Sequence, residues 1–387
     1  MASSQSDFDT VLFGATGFTG TLTAEYLAAH APAGTTWALA GRNRAKLEAL
    51  RERLGADVTI LEADITDAAS LRRVAESARV VITTVGPYVR YGEPLVAACA
   101  EAGTDYVDLT GEPEFVDLMY LRHHATAERT GARLVHACGF DSIPHDLGAL
   151  FTVQHLPEDQ PIALRGYVSA GGRPSGGTFD SAVTAMSRMR HASAVHAKRR
   201  KAEPRGGARR TRALTGRPGY DRHVHTWVLP LPTIDPQIVV RSARALSRYG
   251  PDFSYSHYAA VGNPLVAAGL TVGVAGTFAL AQLPPTRTLL RKLLPSGAGP
   301  SEEQRAKSWF KVRFVGESGG QRVVTEVAGG DPGYGETSKM LAESALCLAY
   351  DSLPETAGQV TTAVAMGDAL RARLEKAGIT FRVLDAD

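Results

Sequence analysis

The chain has 387 residues, with 42 Lys and Arg against 40 Asp and Glu, a formal net charge of +2, 44% hydrophobic and 21% charged residues. That length exceeds one ordinary core and predicts two domains, and the composition excludes a disordered or fibrous chain. Three scattered cysteines, Cys99, Cys138 and Cys347, form no C-x-x-C pair, which argues against a disulfide framework or structural zinc; no metal is expected. Met1 to Asp9 is polar and acidic and carries no signal peptide, so a cytoplasmic location is expected.

The first element is a strand from Asp9 to Phe13, followed by Gly14-Ala15-Thr16-Gly17-Phe18-Thr19-Gly20 and a helix with apolar spacing from Thr21 to Ala31. A strand that enters a helix through glycines lets the backbone turn tightly and approach a pyrophosphate, whose charge the helix start attracts. The spacing is G-x-x-G-x-x-G, so the strand before it and the helix after it carry the reading of a dinucleotide site. The next strand, Thr36 to Ala40, ends in Gly41-Arg42-Asn43-Arg44, where an NAD site would place an acidic residue for the ribose 2′-hydroxyl. An arginine there can pair with a 2′-phosphate, which predicts NADP(H) as cofactor.

The alternation continues. Strands are predicted at Val58–Leu61, Val80–Val85, Tyr106–Leu109 and Arg133–Ala137, and helices at Ala68–Glu76, Glu93–Glu101 and Phe115–Thr130. This is the pattern of a doubly wound parallel sheet, whose ligands sit beyond the carboxyl ends of the strands. Asp64, Val85, Gly86 and Pro87 at such ends join the cofactor-binding set. Two other strand ends carry Thr110-Gly111-Glu112 and Cys138-Gly139-Phe140-Asp141-Ser142-Ile143-Pro144-His145. Glu112 is read as a ribose ligand, as a support for a group that itself touches the ligand, or as the cap of the helix near Pro113. Asp141 is read as a partner for His145 or as a helix N-cap.

Past Leu150 the pattern changes to strands at Ile162–Ala170, Val224–Leu229, Phe310–Gly316 and Arg322–Val327, the last two joined at Ser318-Gly319-Gly320 by hairpin chemistry. The predicted domains are 1–150 for the dinucleotide, 151–334 for substrate or partner, and 335–387 for helices (Thr337–Tyr350, Thr362–Ala377) returning to the first domain. Residues 188–222 read as a helix end followed by a flexible basic loop, without the interleaved aromatics of a nucleic-acid arm, so no nucleic-acid partner is expected. Residues 265–283 carry no charge over about the length that crosses a bilayer and read as a buried or interfacial hairpin lining an apolar pocket, with membrane insertion as the alternative structure and peripheral membrane contact as the functional alternative.

With Gly14–Gly20, Ala40-Gly41-Arg42-Asn43, Val85-Gly86-Pro87-Tyr88, Tyr91-Gly92-Glu93-Pro94, Tyr106–Glu112, Gly139–Pro144 and Gly330-Asp331-Pro332-Gly333-Tyr334 in place, the chain resembles the saccharopine dehydrogenase-like oxidoreductases, and within them the bacterial trans-acting enoyl reductases. The resemblance covers nearly the whole chain and implies a Rossmann domain binding NADP(H) and a second mixed α/β domain. It also implies reduction of a carbon–carbon double bond in a small or carrier-bound acyl thioester, in polyketide or lipid biosynthesis. An acyl-carrier or polyketide synthase partner follows from that. The run Gly139–Pro144 departs from the Gly-Leu-Asp-Pro-Gly type of turn in true saccharopine reductases, which turns the reading away from saccharopine itself.

Hydride transfer leaves the protein to orient the nicotinamide and deliver one proton, and Tyr88, His145 and Asp141 are the expected catalytic residues. Two alternatives stand beside this reading. One is imine or carbonyl reduction, with Arg165, Arg173 or Arg188 anchoring a carboxylate. The other is a non-enzymatic NADP-binding protein associated with lipid.

Overall fold

The computed structural model describes residues 6–171, 176–203, 209–281, 286 and 300–386. Contacts divide the chain into two compact units, Met1–Gly139 with Tyr334–Arg373, and Phe140–Gly333 with Leu374–Asp387.

In the first unit the strands are β1 (Phe8–Phe13), β2 (Trp37–Gly41), β3 (Thr59–Glu62), β4 (Ala78–Thr83), β5 (Asp105–Asp108) and β6 (Arg133–Val135). The helices between them are α1 (Phe18–His30), α2 (Arg44–Leu54), α3 (Ala68–Ser77), α4 (Tyr88–Tyr91), α5 (Glu93–Ala102) and α6 (Pro113–Thr130). The apolar runs of β1, β2 and β4 are almost fully buried, as strands covered on both faces must be. Helix ends follow local chemistry. Asp67 accepts from the Ala69 amide at the start of α3, proline opens α5 and α6, and Gly103 and Gly131 close them in the left-handed region. The strand order is β14-β6-β5-β4-β1-β2-β3, every pairing parallel, with β14 (Gly358–Val360) added from the far end of the chain. Order reverses between β1 and β4, the switch point where such sheets bind nucleotides.

The helix Gly335–Tyr350 packs on this unit. Glu343 accepts from the Tyr26 hydroxyl at 2.7 Å, and Arg373 bridges Glu343 and Asp351. The second C-terminal helix is broken into Thr362–Ala365 and Gly367–Lys376, because Gly367 turns the chain at φ +46°. Cys99, Cys138 and Cys347 are buried, free thiols.

The second unit contains α7 (Ile143–Val153), β7 (Ile162–Gly171), α8 (Gly176–Ala202), β8 (Arg210–Leu214), β9 (Gly219–Asp221), β10 (Thr226–Pro230), α9 (Asp235–Ala245), β11 (Asp252–Val261), α10 (Pro264–Ala281), β12 (Trp309–Ser318), β13 (Gln321–Gly329) and β15 (Thr380–Ala386). Its mixed sheet runs β15-β13-β12-β7-β11-β10-β9, with β8 beside β11. The β12–β13 hairpin turns through Gly319 and Gly320, both at positive φ, which is the two-residue turn the sequence implies. The last strand was not foreseen: β15 pairs with β13, so the chain end joins the second sheet.

Two readings of this unit are corrected. In the stretch 188–222 the helix end is present as read, but the described residues after it are anchored rather than loose. Helix α8 continues to Ala202, Arg199 is buried against Glu203, and Arg209 donates to the carbonyls of Ala243, Leu246 and Gly250, which anchors the chain into β8. Pro204, Gly206 and Gly207 lie outside the described residues. The stretch 265–283 is not a hairpin, since α10 runs unbroken to Ala281. Its alanines and leucines favour helix, and an added Cβ at Gly269, Gly273 or Gly276 would meet nothing within 4 Å, so these glycines serve no tight turn. Among the described residues no helix is long and apolar enough to cross a membrane.

Candidate functional site

In the first unit Phe13 stands beside Ala40 and Thr83, and Thr83 beside Asp108, so the chain leaves four strands at one level. At the end of β1, Gly14 takes φ +86°, and a Cβ there would lie 2.6 Å from Val85 Cγ2. Its amide donates to Ala40 O and its carbonyl accepts from Thr84 Oγ1, which ties the turn to both neighbouring strands. Gly20, the third residue of α1, packs so closely that a Cβ would come 2.2 Å from Gly14 O, whereas at Gly17 the same atom would sit 3.4 Å away. Gly20→Ala is therefore expected to weaken NADPH binding by about tenfold or more, while Gly17→Ala stays within about threefold, measured by fluorescence titration. Equal affinities would remove the close-approach role of Gly20.

Ala15 is buried, Thr16 and Gly17 are exposed, and Phe18 and Thr19 are partly covered. Phe18 packs edge-on against Tyr334 at 4.6 Å, and Ser338 Oγ donates to Thr19 O, so the C-terminal helix supports this turn. At the end of β2, Gly41 is buried and Arg42 is exposed. Arg42 has no ion pair among the described residues, Arg44 is paired with Glu48, and the Asn43 side chain caps α2 by accepting from the Lys46 amide. Asp64 accepts from the amide and hydroxyl of Thr66, which hold its carboxyl below the usual range, and Arg42 adds to the effect. Of these polar groups, Arg42 is the one left available to a 2′-phosphate.

Beyond β4, Val85 lies under Gly14, and Gly86 and Pro87 lead into α4. Glu112 departs from expectation. It spans the start of α4, accepting from the amides of Tyr88 (3.0 Å) and Val89 (2.9 Å), while its side chain makes no cap for α6. A buried carboxylate across two amides at a helix start is a stable arrangement. The Tyr88 hydroxyl donates to Thr83 O and accepts from the Leu109 amide. Burial, then the charge of Asp108, pushes its pKa well above the ordinary value. Tyr88 is thus held between strand ends.

Sequence reasoning missed the group beneath this rim. Asp108 is fully buried and accepts from the Tyr106 hydroxyl (3.0 Å), the amides of Thr110 (3.0 Å) and Ala137 (2.9 Å), and His136 Nδ1 (2.6 Å). The only available signal was a charged residue inside an otherwise apolar strand.

In the second unit, His145 opens α7 beside Phe140, with Ser142 as N-cap at φ +130°. Asp141 is therefore not the cap. It is partly covered, and its pKa is raised by burial first and by Asp235 next, against the opposing effect of His145. His145 Nδ1 lies 2.9 Å from Asp235 Oδ1, and His257 Nε2 lies 3.4 Å from Asp235 Oδ2. Burial raises the Asp235 carboxyl, but His145 and His257 outweigh it and hold it well below its ordinary value; burial lowers His257. Sequence reasoning placed neither Asp235 nor His257, which stand on α9 and β11. Arg165 is paired with Glu317, Arg188 contacts His191, and Arg173 lies outside the described residues. A shallow cleft of about 590 Å³ between Pro161 and the β12–β13 turn holds none of the residues expected to act.

The saccharopine dehydrogenase NADP binding domain model matches residues 10–135. A Mycobacterium tuberculosis protein provisionally named trans-acting enoyl reductase is 40% identical over 99% of this chain and 99% of its own length. A Mycobacterium bovis trans-acting enoyl reductase is 38% identical over 98% and 99%. Among solved structures, saccharopine dehydrogenase (L-Glu forming) from Saccharomyces cerevisiae superposes with a TM-score of 0.58 at 11% identity, covering 98% of this chain and all of that one.

Proposed function

This chain belongs to the trans-acting enoyl reductase family of saccharopine dehydrogenase-like NADP-dependent oxidoreductases, and from that premise we propose that it reduces the carbon–carbon double bond of an enoyl thioester held on an acyl carrier. The observation that carries the cofactor half of this reading is the exposed Arg42, without an ion pair among the described residues, beside the Gly14–Gly20 turn at the sheet's switch point. NADPH, when bound, supplies a hydride to the β-carbon, the π electrons move onto the thioester oxygen, and the α-carbon takes a proton. The products are the saturated thioester and NADP⁺.

On this chain's side, Gly14–Gly20 and Val85–Pro87 hold the dinucleotide, and Glu112 and Tyr88 fix the loop after β4. Among the candidate acid–base groups, the proton is proposed to come from Asp141 or His145, because the Tyr88 hydroxyl is already held between two backbone groups. The acyl carrier is proposed to belong to a polyketide or lipid synthase; the relatives' names say that those enoyl reductases act in trans, which supports a carrier on a separate protein. Leu265, Val266, Leu270 and Val272 are exposed on α10, which supports peripheral contact with lipid there.

The test is NADPH oxidation across enoyl thioesters, cyclic imines and ketones, using NADPH deuterated at C4. Turnover is expected with the enoyl thioesters, with deuterium at the β-carbon. Asp141→Asn and His145→Gln should each lower kcat by about 100-fold, with NADPH affinity unchanged. Turnover confined to imines or ketones overturns the substrate class. Full rate in both variants overturns the proton assignment.

A further inference from the structure

Three side chains of the second unit, brought from two helix starts and a strand, converge in its interior with four of their polar atoms unsatisfied among the described residues. His145, Asp235 and His257 are 1%, 2% and 4% exposed, and one ligand atom from each lies within 4.8 Å of the others. The two short contacts, 2.9 Å from His145 Nδ1 to Asp235 Oδ1 and 3.4 Å from His257 Nε2 to Asp235 Oδ2, are off the line of a hydrogen bond. Both ring nitrogens of His145, Asp235 Oδ1 and His257 Nε2 are buried without a hydrogen-bond partner among the described residues. Leaving such atoms unpaired costs about 1–3 kcal/mol each, and three of them, one nitrogen of His145, Asp235 Oδ1 and His257 Nε2, lie close enough to share one partner.

An ion meets that requirement. Two ligand atoms, each about 2.0–2.2 Å from a zinc ion and about 90–110° apart around it, lie about 3.0–3.5 Å from one another. The observed 2.9 Å between His145 Nδ1 and Asp235 Oδ1 is close to one such edge, and the three ligand atoms all lie within 4.8 Å of one another. Ligands that share an ion point at it rather than at each other, which accounts for short contacts with poor hydrogen-bond direction. The outer atoms are positioned as well. The Tyr255 hydroxyl meets His257 Nδ1 at 2.9 Å, leaving Nε2 directed inward, and Thr233 Oγ1 donates to Asp235 Oδ2, leaving Oδ1 available.

We propose that His145, Asp235 and His257 form a binding site for a divalent transition-metal ion of the zinc class, with a fourth position open to water or a substrate oxygen. Two imidazoles and one carboxylate suit such an ion, and three protein ligands with one open position is the arrangement of reactive rather than purely structural zinc. The ligands are far apart in the chain and show no metal-binding spacing, so the sequence alone does not announce them. The proposal rests on the second unit's own geometry and not on the enoyl-thioester reading. If it holds, His145 is a ligand and the proton of the reductase reaction falls to Asp141.

The full-length protein, stripped with a chelator and titrated with Zn²⁺ against a competing dye, is expected to bind one equivalent per chain with Kd below about 1 µM. Co²⁺ in its place should give visible d–d absorption. Asp235→Asn and His257→Gln should weaken binding by about 100-fold or more, and Tyr255→Phe by about 10- to 100-fold with stoichiometry kept. Circular dichroism checks that each variant is folded; where a ligand variant is not, the wild-type titration and Tyr255→Phe decide. No equivalent bound by the wild type, or variants that bind as the wild type does, overturns the site and leaves a histidine–aspartate–histidine proton network. These readouts do not involve turnover, so failure here leaves the reductase reading intact.

Discussion

Arg42→Ala is expected to raise KM for NADPH by about 30- to 100-fold while leaving KM for NADH within about twofold. Charged hydrogen bonds of a guanidinium to a phosphate contribute about 1.5–3 kcal/mol, and each 1.4 kcal/mol is tenfold in affinity. The prediction is specific to Arg42 because the neighbouring polar side chains are engaged: Arg44 with Glu48, Asn43 with the Lys46 amide, Asp64 with Thr66. Arg44→Ala should therefore change neither constant by more than about twofold, since an exposed i,i+4 ion pair contributes only about 0.3–0.5 kcal/mol. The measurement is the ratio of kcat/KM for the two cofactors in wild type and both variants. An unchanged ratio in Arg42→Ala would remove the basis for placing the 2′-phosphate at the end of β2.

The contrast between Arg42 and its neighbours also marks what the sequence can disclose. A strand, a glycine turn and a basic residue after the next strand are local signals, and periodicity with turn chemistry is enough to read them. Helix α2 escaped because only Leu47 and Leu50 are buried in a run of charged residues, leaving a weak apolar stripe. Two members of the His145–Asp235–His257 cluster sit on α9 and β11, elements that the sequence reading did not define at all. Glu112 shows a different difficulty. Its position before Pro113 suggests a cap for the helix that follows, yet the carboxylate serves the start of α4, a segment earlier in sequence and adjacent only through the β4–β5 pairing. Local rules name the residue type; the neighbour it meets is decided by strand order, which no local pattern encodes. The stretch 265–283 illustrates the same limit, since absence of charge establishes an apolar element without choosing helix or hairpin.

Asp108→Ala is expected to be the most damaging single substitution in the first unit, lowering the melting temperature by about 6–20 °C. The carboxylate is fully buried and holds four donors, the Tyr106 hydroxyl, His136 Nδ1 and the amides of Thr110 and Ala137. Removing it leaves those donors in the interior with nothing to accept from them, and breaking a buried, fully bonded charged group costs about 3–5 kcal/mol. In a domain of this size each kcal/mol moves the transition by about 2–4 °C, which gives the stated range. The damage should reach the rim. The Ala137 amide that Asp108 holds belongs to a residue at φ +61°, and the Cys138 amide donates to the Asp108 carbonyl, so this residue sets how the chain leaves both β5 and β6. Leu109, the next residue, carries the amide that meets the Tyr88 hydroxyl. Loss of Asp108 should thus reduce the stabilisation conferred by saturating NADPH as well as the melting temperature itself. A useful comparison is Glu93→Ala, which removes the exposed pair with Arg122 and should shift the transition by less than about 3 °C. Scanning calorimetry of both variants with and without NADPH separates the effects, and an Asp108→Ala protein that melts within about 3 °C of the wild type would show that the four hydrogen bonds do not hold this end of the sheet.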